Sequence, residues 1–198
     1  MTEPSARDRL LDAAYACVAR YGIGKTTMED VAREAGVSRA TVYRTFPTGK
    51  DQLVREVVTW EAFRFFERLA AAVDAAPDVV TVVEESLMFA HLAVEEHDVL
   101  QKILQTEPEL LVPLLTGQSE VLVGFIRAFL LPRLSLDQLR SGVSAEQAAD
   151  YVGRMVLSFI GAQGQWDLRD RAQVAELVRT ELLAGVLASS VDSETKMH

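Results

Sequence analysis

Residues 26–46 read TTMEDVAREAGVSRATVYRTF. Thr27 followed three residues later by Asp30 has the form of a capping box, the short Asp reaching back less far than a Glu would. Met28, Val31, Ala32 and Ala35 recur at the spacing of one apolar helix face, and Gly36 stops that helix. Ser38 reads as the N-cap of a further helix, Arg39 to Phe46, whose Val42 and Phe46 lie four apart on a shared face. Two short helices joined by Ala35-Gly36-Val37-Ser38 have the length and turn chemistry of a helix-turn-helix, whose second helix enters the DNA major groove. With Val42 and Phe46 inward, the other face offers Arg39, Ala40, Thr41, Tyr43 and Arg44. Arg can donate two hydrogen bonds to guanine, Thr and Tyr can bond phosphate or touch a thymine methyl, and Ala40 lets the backbone approach. Lys50, at the start of the next helix, adds a cation and backbone N–H groups for phosphate.

Working outward, the periodicity is helical throughout and no alternating strand pattern competes with it. Upstream, Leu10, Ala14, Cys17, Val18 and Tyr21 form one stripe of a helix from about Ser5 to Tyr21, ended by Gly22 and Gly24. Downstream, Pro47 and Gly49 break the chain before a long helix, 50–76, carrying Leu53, Val57 and Trp60 inward. Apolar segments at Val79–Val94, Val99–Leu104, Glu109–Leu115 and Ser119–Leu131 follow. Ser144 caps a helix striped by Val152, Met155, Val156, Phe159 and Ile160, and Asp170 caps a last one striped by Val174, Leu177, Val178, Leu182 and Val186. The tail from Ser189 is polar.

Composition sets the limits. The 198 residues are 49% hydrophobic and 25% charged, as expected for a globular protein. Runs such as Val121 to Ile126 fall short of the roughly 18 apolar residues a membrane span needs, and no charged and apolar leader opens the sequence. A soluble, cytoplasmic protein is expected, with no membrane partner. The lone cysteine, Cys17, sits in an apolar stripe and reads as a buried core residue. The net charge of -9 argues at face value against a nucleic-acid partner. Divided along the chain it says otherwise: residues 1–56 carry +1 and residues 57–198 carry -10. Gly36 to Lys50 holds Arg39, Arg44 and Lys50 and no acid, a local basic patch within an acidic chain.

Three runs together resemble the DNA-binding domain of the TetR family of transcriptional regulators: Thr26-Thr27-Met28-Glu29-Asp30-Val31-Ala32, then Ala35 through Phe46, then Gly49-Lys50-Asp51-Gln52-Leu53. The resemblance covers about the first quarter of the chain. Thr45 departs from it, since the family often has an aromatic residue before the Phe. The resemblance implies an all-α fold of about nine helices: a three-helix DNA-binding domain over 1–50, and a ligand-binding and dimerisation domain over 51–198 whose first helix, 50–76, connects the two. It places Arg39, Thr41, Tyr43, Arg44 and Lys50 at DNA, with Thr27 near a phosphate and Ser38 and Ala40 beside them. The implied partners are a palindromic operator duplex, a second copy of the chain and a small-molecule effector that releases the repressor.

For the dimer, Gly153, Leu157, Gly161 and Gly164 fall near one face of the helix after Ser144. Three glycines inside a helix would cost about 3 kcal/mol, which close approach of another helix would offset. Leu182 and Val186 of the last helix are the expected partners in a two-fold four-helix bundle, and packing within one chain is the alternative. For the effector, Phe63, Phe66, Met88, Phe89 and Leu92 could line an apolar cavity with Phe125, Phe129, Phe159 and Trp166, and His91, Glu95, Arg127 and Gln163 could orient a ligand there. Each is also an ordinary core or surface residue. Enzyme activity is not expected: His91 and His97 are six apart, no Ser/His/Asp set or Gly-rich phosphate loop is present, and no metal or cofactor is implied. A competing reading is a DNA-binding regulator whose C-terminal domain only dimerises or recruits a protein.

Overall fold

The computed structural model describes residues 5–110 and 119–188. Among them stand the α-helices α1 (Ala6–Tyr21), α2 (Met28–Glu34), α3 (Arg39–Thr45), α4 (Lys50–Ala72), α5 (Val79–Glu95), α6 (Asp98–Thr106), α7 (Ser119–Leu130), α8 (Ala145–Gly161) and α9 (Arg171–Leu177), and residues 108–110 are also helical. This is the all-helical class expected. An isolated antiparallel bridge joins Leu139 to Leu187. Part of the expected Glu109–Leu115 segment and the tail from Ser189 lie outside the described residues.

The helix starts follow from their capping residues. Ser5 and Asp8, Thr27 and Asp30, and Ser144 and Gln147 each form a reciprocal capping box, so two backbone N–H groups are satisfied at each site. Ser38 accepts from Thr41 N–H, and Asp170 accepts from Ala172 and Gln173 N–H. Three boundaries and one burial differ from the sequence reading. Helix α4 ends at Ala72 rather than 76, because Ala76 precedes Pro77, whose ring crowds an α-conformation there. Tyr21 is 42% exposed rather than part of the core stripe, with Arg20 over its ring at 5.6 Å. Gly164 lies beyond α8 with a φ of 65°, and Gly161 is the last residue of that helix, so only Gly153 bears the interior-glycine cost. The last helix stays α-helical only to Leu177 and continues as a π-helical turn, Val178–Leu182.

The chain forms two compact units, 1–64 with 96–119 and 65–95 with 120–198. In the first, Leu10, Ala14 and Cys17 of α1 pack with Val31, Val42, Phe46, Leu53 and Val57, which fixes α3 against α1, α2 and the start of α4. Cys17 is buried, and desolvation, then Glu34, raises its thiol pKa. A smaller cluster of Val18, Ile23, Val54 and Ile103 seats α6 in the same unit. Two polar contacts complete that seat. Lys102 Nζ donates to the Ala19 carbonyl at 2.8 Å, at the C-terminal end of α1. The Glu107 carboxylate accepts from Ile23 N–H at 2.6 Å and from Gly24 N–H at 3.2 Å. The φ of 87° at Gly22 favours glycine there, and a Cβ on it would also crowd the Glu107 carboxylate, 2.8 Å from Oε2.

The second unit is built on Leu87 of α5, Ile126 and Leu130 of α7, Ala149 and Val152 of α8, and Leu177, Val178 and Leu182. A flanking cluster of Leu69, Val73 and Val82 is joined by Phe65, Phe66, Phe89 and Phe129.

Candidate nucleic-acid interface

The outer face of α3 is created by what its inner face buries. Val42 and Phe46 are both 0% exposed, and burying such side chains contributes about 1.5 to 3 kcal/mol each. Their burial turns Arg39, Ala40, Tyr43 and Arg44 to solvent, with Thr41 half-buried at the edge. Ser38 Oγ lies 3.0 Å from Thr41 Oγ1, and Thr45 Oγ1 donates to the Thr41 carbonyl at 3.1 Å. Thr45, where the family often has an aromatic residue, thus spends its hydroxyl on its own helix.

Three cationic side chains stand on or beside this face, each in a different state. Arg44 is exposed and has no ion-pair partner among the described residues. Arg39 stacks over the Tyr43 ring at 5.2 Å, donates to the Tyr43 hydroxyl at 3.5 Å, and pairs with Glu29 of α2 at 2.6 Å. These contacts, the Tyr43 hydrogen bond first, hold the Arg39 guanidinium pKa above its usual value. Lys50 donates from Nζ to the Gly24 carbonyl at 2.7 Å, so it is anchored in the α1–α2 turn. Thr27 Oγ1 donates to Asp30 at 2.6 Å, and that bond is the first cause lowering the Asp30 carboxyl pKa. The eight residues expected at DNA therefore lie in one unit, at the N-caps of α2 and α3, on α3 and at the first residue of α4. Sequence reasoning missed Glu29 and the Gly24 carbonyl. Glu29 reads locally as an acid favoured in a first helical turn, and its pairing across two helices leaves no mark in spacing.

The residues expected at an effector divide between the units. Phe63 belongs to the first and is 51% exposed, and Leu92 in the second is 40% exposed. Phe66 stacks on Phe125 at 5.3 Å, and Phe65 contacts Phe66 at 5.2 Å and Phe89 at 5.7 Å. Phe129, Met88, Phe159 and Trp166 pack against the second unit's core. His91 is buried, with Nε2 3.1 Å from Glu95 and Nδ1 3.4 Å from Gln163, while Arg169 holds the same Glu95 carboxylate at 2.9 Å. Arg127 is exposed.

Of the residues expected at a dimer interface, Gly153, Leu182 and Val186 are buried within the single chain. A Cβ on Gly153 would come within 3.3 Å of Ile126, so α7 already uses the space this glycine leaves. Leu157 is half-buried, and none of the described residues comes within 4 Å of where a Cβ on Gly161 or Gly164 would be.

Among the described residues no three of His, Cys, Asp and Glu gather as a metal-binding group, and no helix is long and apolar enough to cross a membrane.

Residues 10–57 match the family described as bacterial regulatory proteins, tetR family. An uncharacterized HTH-type transcriptional regulator of Mycobacterium tuberculosis strain H37Rv is 54% identical over 39 residues, 20% of this chain and 21% of that protein. The chain thus spans about a fifth of that relative's length in this match. Another uncharacterized HTH-type regulator of the same strain is 28% identical over 177 residues, 87% of this chain and 83% of that protein. Among solved structures, the TetR family repressor AlkX from Dietzia sp. superposes with a TM-score of 0.68 at 22% identity, covering 93% of this chain and 98% of that one.

Proposed function

We propose, from the match of residues 10–57 to the tetR family of bacterial regulatory proteins, that the chain is a TetR-type, sequence-specific DNA-binding transcriptional regulator, a repressor released from a palindromic operator by a small apolar or amphipathic effector. The observation that carries this reading is the two-sidedness of α3: Val42 and Phe46 are completely buried while Arg39, Ala40, Tyr43 and Arg44 face solvent without an acid among them. Such a helix presents donors to a groove and keeps its own packing intact. Arg39 and Arg44 are the base readers, Thr27, Ser38, Thr41 and Tyr43 contact phosphate or thymine methyl groups, and Lys50 contacts phosphate from its anchored position.

Two such helices reach successive major grooves only when held about one helical turn, roughly 34 Å, apart, so the regulator acts as a homodimer on a two-fold site. The open sides of Leu157 and Gly161 are the parts of the expected interface that remain available to a second copy. Effector binding within the second unit, by the aromatic group around Phe66 and Phe125 with His91 and Gln163 as polar partners, changes the separation of the two recognition helices. A second reading has a specific observation in its favour: Phe65, Phe66, Phe89 and Phe125 contact one another ring to ring, as in a filled core, which suits a domain that only dimerises.

The test is selection from a pool of random DNA duplexes followed by a fluorescence-anisotropy titration. A palindromic consensus bound at least 1,000-fold more tightly than a scrambled duplex is expected. Equal binding to every duplex would overturn the reading.

A further inference from the structure

Glu29 is the one acid on α2 that reaches the recognition helix, and its partner there is a proposed base reader. Glu29 Oε1 stands 2.6 Å from an Arg39 guanidinium nitrogen, with both side chains at least half exposed. Arg39 is the first residue of α3, where the helix dipole disfavours a cation. Glu29 at Nη1 and the Tyr43 hydroxyl at Nη2 hold it there, with the guanidinium over the Tyr43 ring.

We infer that Glu29 is a specificity-determining residue that acts through Arg39, holding its guanidinium against Tyr43 and withholding it from DNA that supplies only phosphate. This rests on α3 being the reading helix. A duplex offering phosphate alone must separate Arg39 from a carboxylate to gain one ionic contact, and the exchange is near balance. A site with guanine in register supplies two hydrogen bonds to the same guanidinium, and only there does the exchange favour binding. Glu29 is therefore a positioning residue: it lowers affinity for arbitrary DNA more than for the correct site.

The experiment compares wild type, Glu29→Gln, Arg39→Ala and the double variant on two probes, the duplex selected by the wild type and a scrambled duplex of equal length, over a range of salt concentrations. Glu29→Gln is expected to tighten binding to the scrambled duplex about tenfold, with less gain on the selected one, and to steepen the salt dependence on scrambled DNA by about one counterion. In the Arg39→Ala background the change in preference is expected to vanish. Equal gains on both duplexes, or an undiminished effect without Arg39, would overturn the inference, since either shows Glu29 acting as a bulk charge. A melting temperature within a few degrees of wild type separates these outcomes from misfolding. A wild type with no preference between the probes overturns the proposed function itself, and a wild type with preference but an unaltered Glu29→Gln variant overturns only the role of Glu29.

Discussion

Arg44 and Lys50 have the same charge and opposite surroundings, and their substitutions are expected to separate. Arg44→Ala removes a free guanidinium from the groove face, with a loss of about 1 to 3 kcal/mol confined to sequences with the correct base at one position. Equal loss on all sequences would remove Arg44 as a base reader. Lys50→Ala is expected to weaken binding to every duplex and to lower the salt slope by about one, a readout that loss of the Gly24 hydrogen bond alone would leave unmoved. Asp30 gives a pH prediction. Thr27 holds its carboxyl below the ordinary value of about 4. The stability this confers is therefore present above that ordinary value and lost as pH falls through the lower folded one. Thr27→Ala is expected to raise the Asp30 pKa in an NMR titration and to move the acid unfolding of the head toward higher pH.

At the scale of elements, the two glycines of α8 make a matched test. Gly153→Leu must displace Ile126 of α7 and is expected to lower the melting temperature by several degrees with or without a partner. Gly161→Leu meets open space among the described residues, so it is expected to leave folding intact and to halve the mass seen by light scattering. An unchanged mass would place the interface elsewhere. The contrast also shows what was legible in the sequence. Helix starts at Ser5, Thr27, Ser38, Ser144 and Asp170 are local chemistry, a side chain and the N–H groups two or three residues on, and each was readable. So were Val42 and Phe46, because period fixes a face. Which glycine sits inside a helix, and whether the space beside it belongs to a neighbour or to solvent, depends on contacts such as Gly153 with Ile126 that no spacing encodes. The same holds for the candidate site, where α3 was legible and the Glu29 and Gly24 partners of its cations were not.

For the whole molecule, the charge division changes once α6 is assigned. Residues 96–119 bring one lysine and four acids to the unit that holds the reading helix. Glu107 uses its charge on backbone N–H groups at the α1–α2 turn, so the net sum near DNA matters less than where each acid points. If effector and operator are coupled, each must weaken the other's binding by one and the same factor, typically 5 to 150-fold. Calorimetric titration of effector into free protein and into the protein–duplex complex checks this, and identical affinities would favour the domain that only dimerises.

The Glu107 contact bears on how such a protein can be recombined. A chimera cut once, after residue 64 or 76, carries a reading head without the carboxylate that satisfies Ile23 and Gly24 and without the lysine that caps α1. The part-buried Ile23 N–H then goes unanswered, at about 1 to 3 kcal/mol, while the exposed Gly24 N–H turns to water. The head is continuous in space and discontinuous in sequence, so transplanting its specificity takes two crossovers, with 96–119 moved along with 1–64.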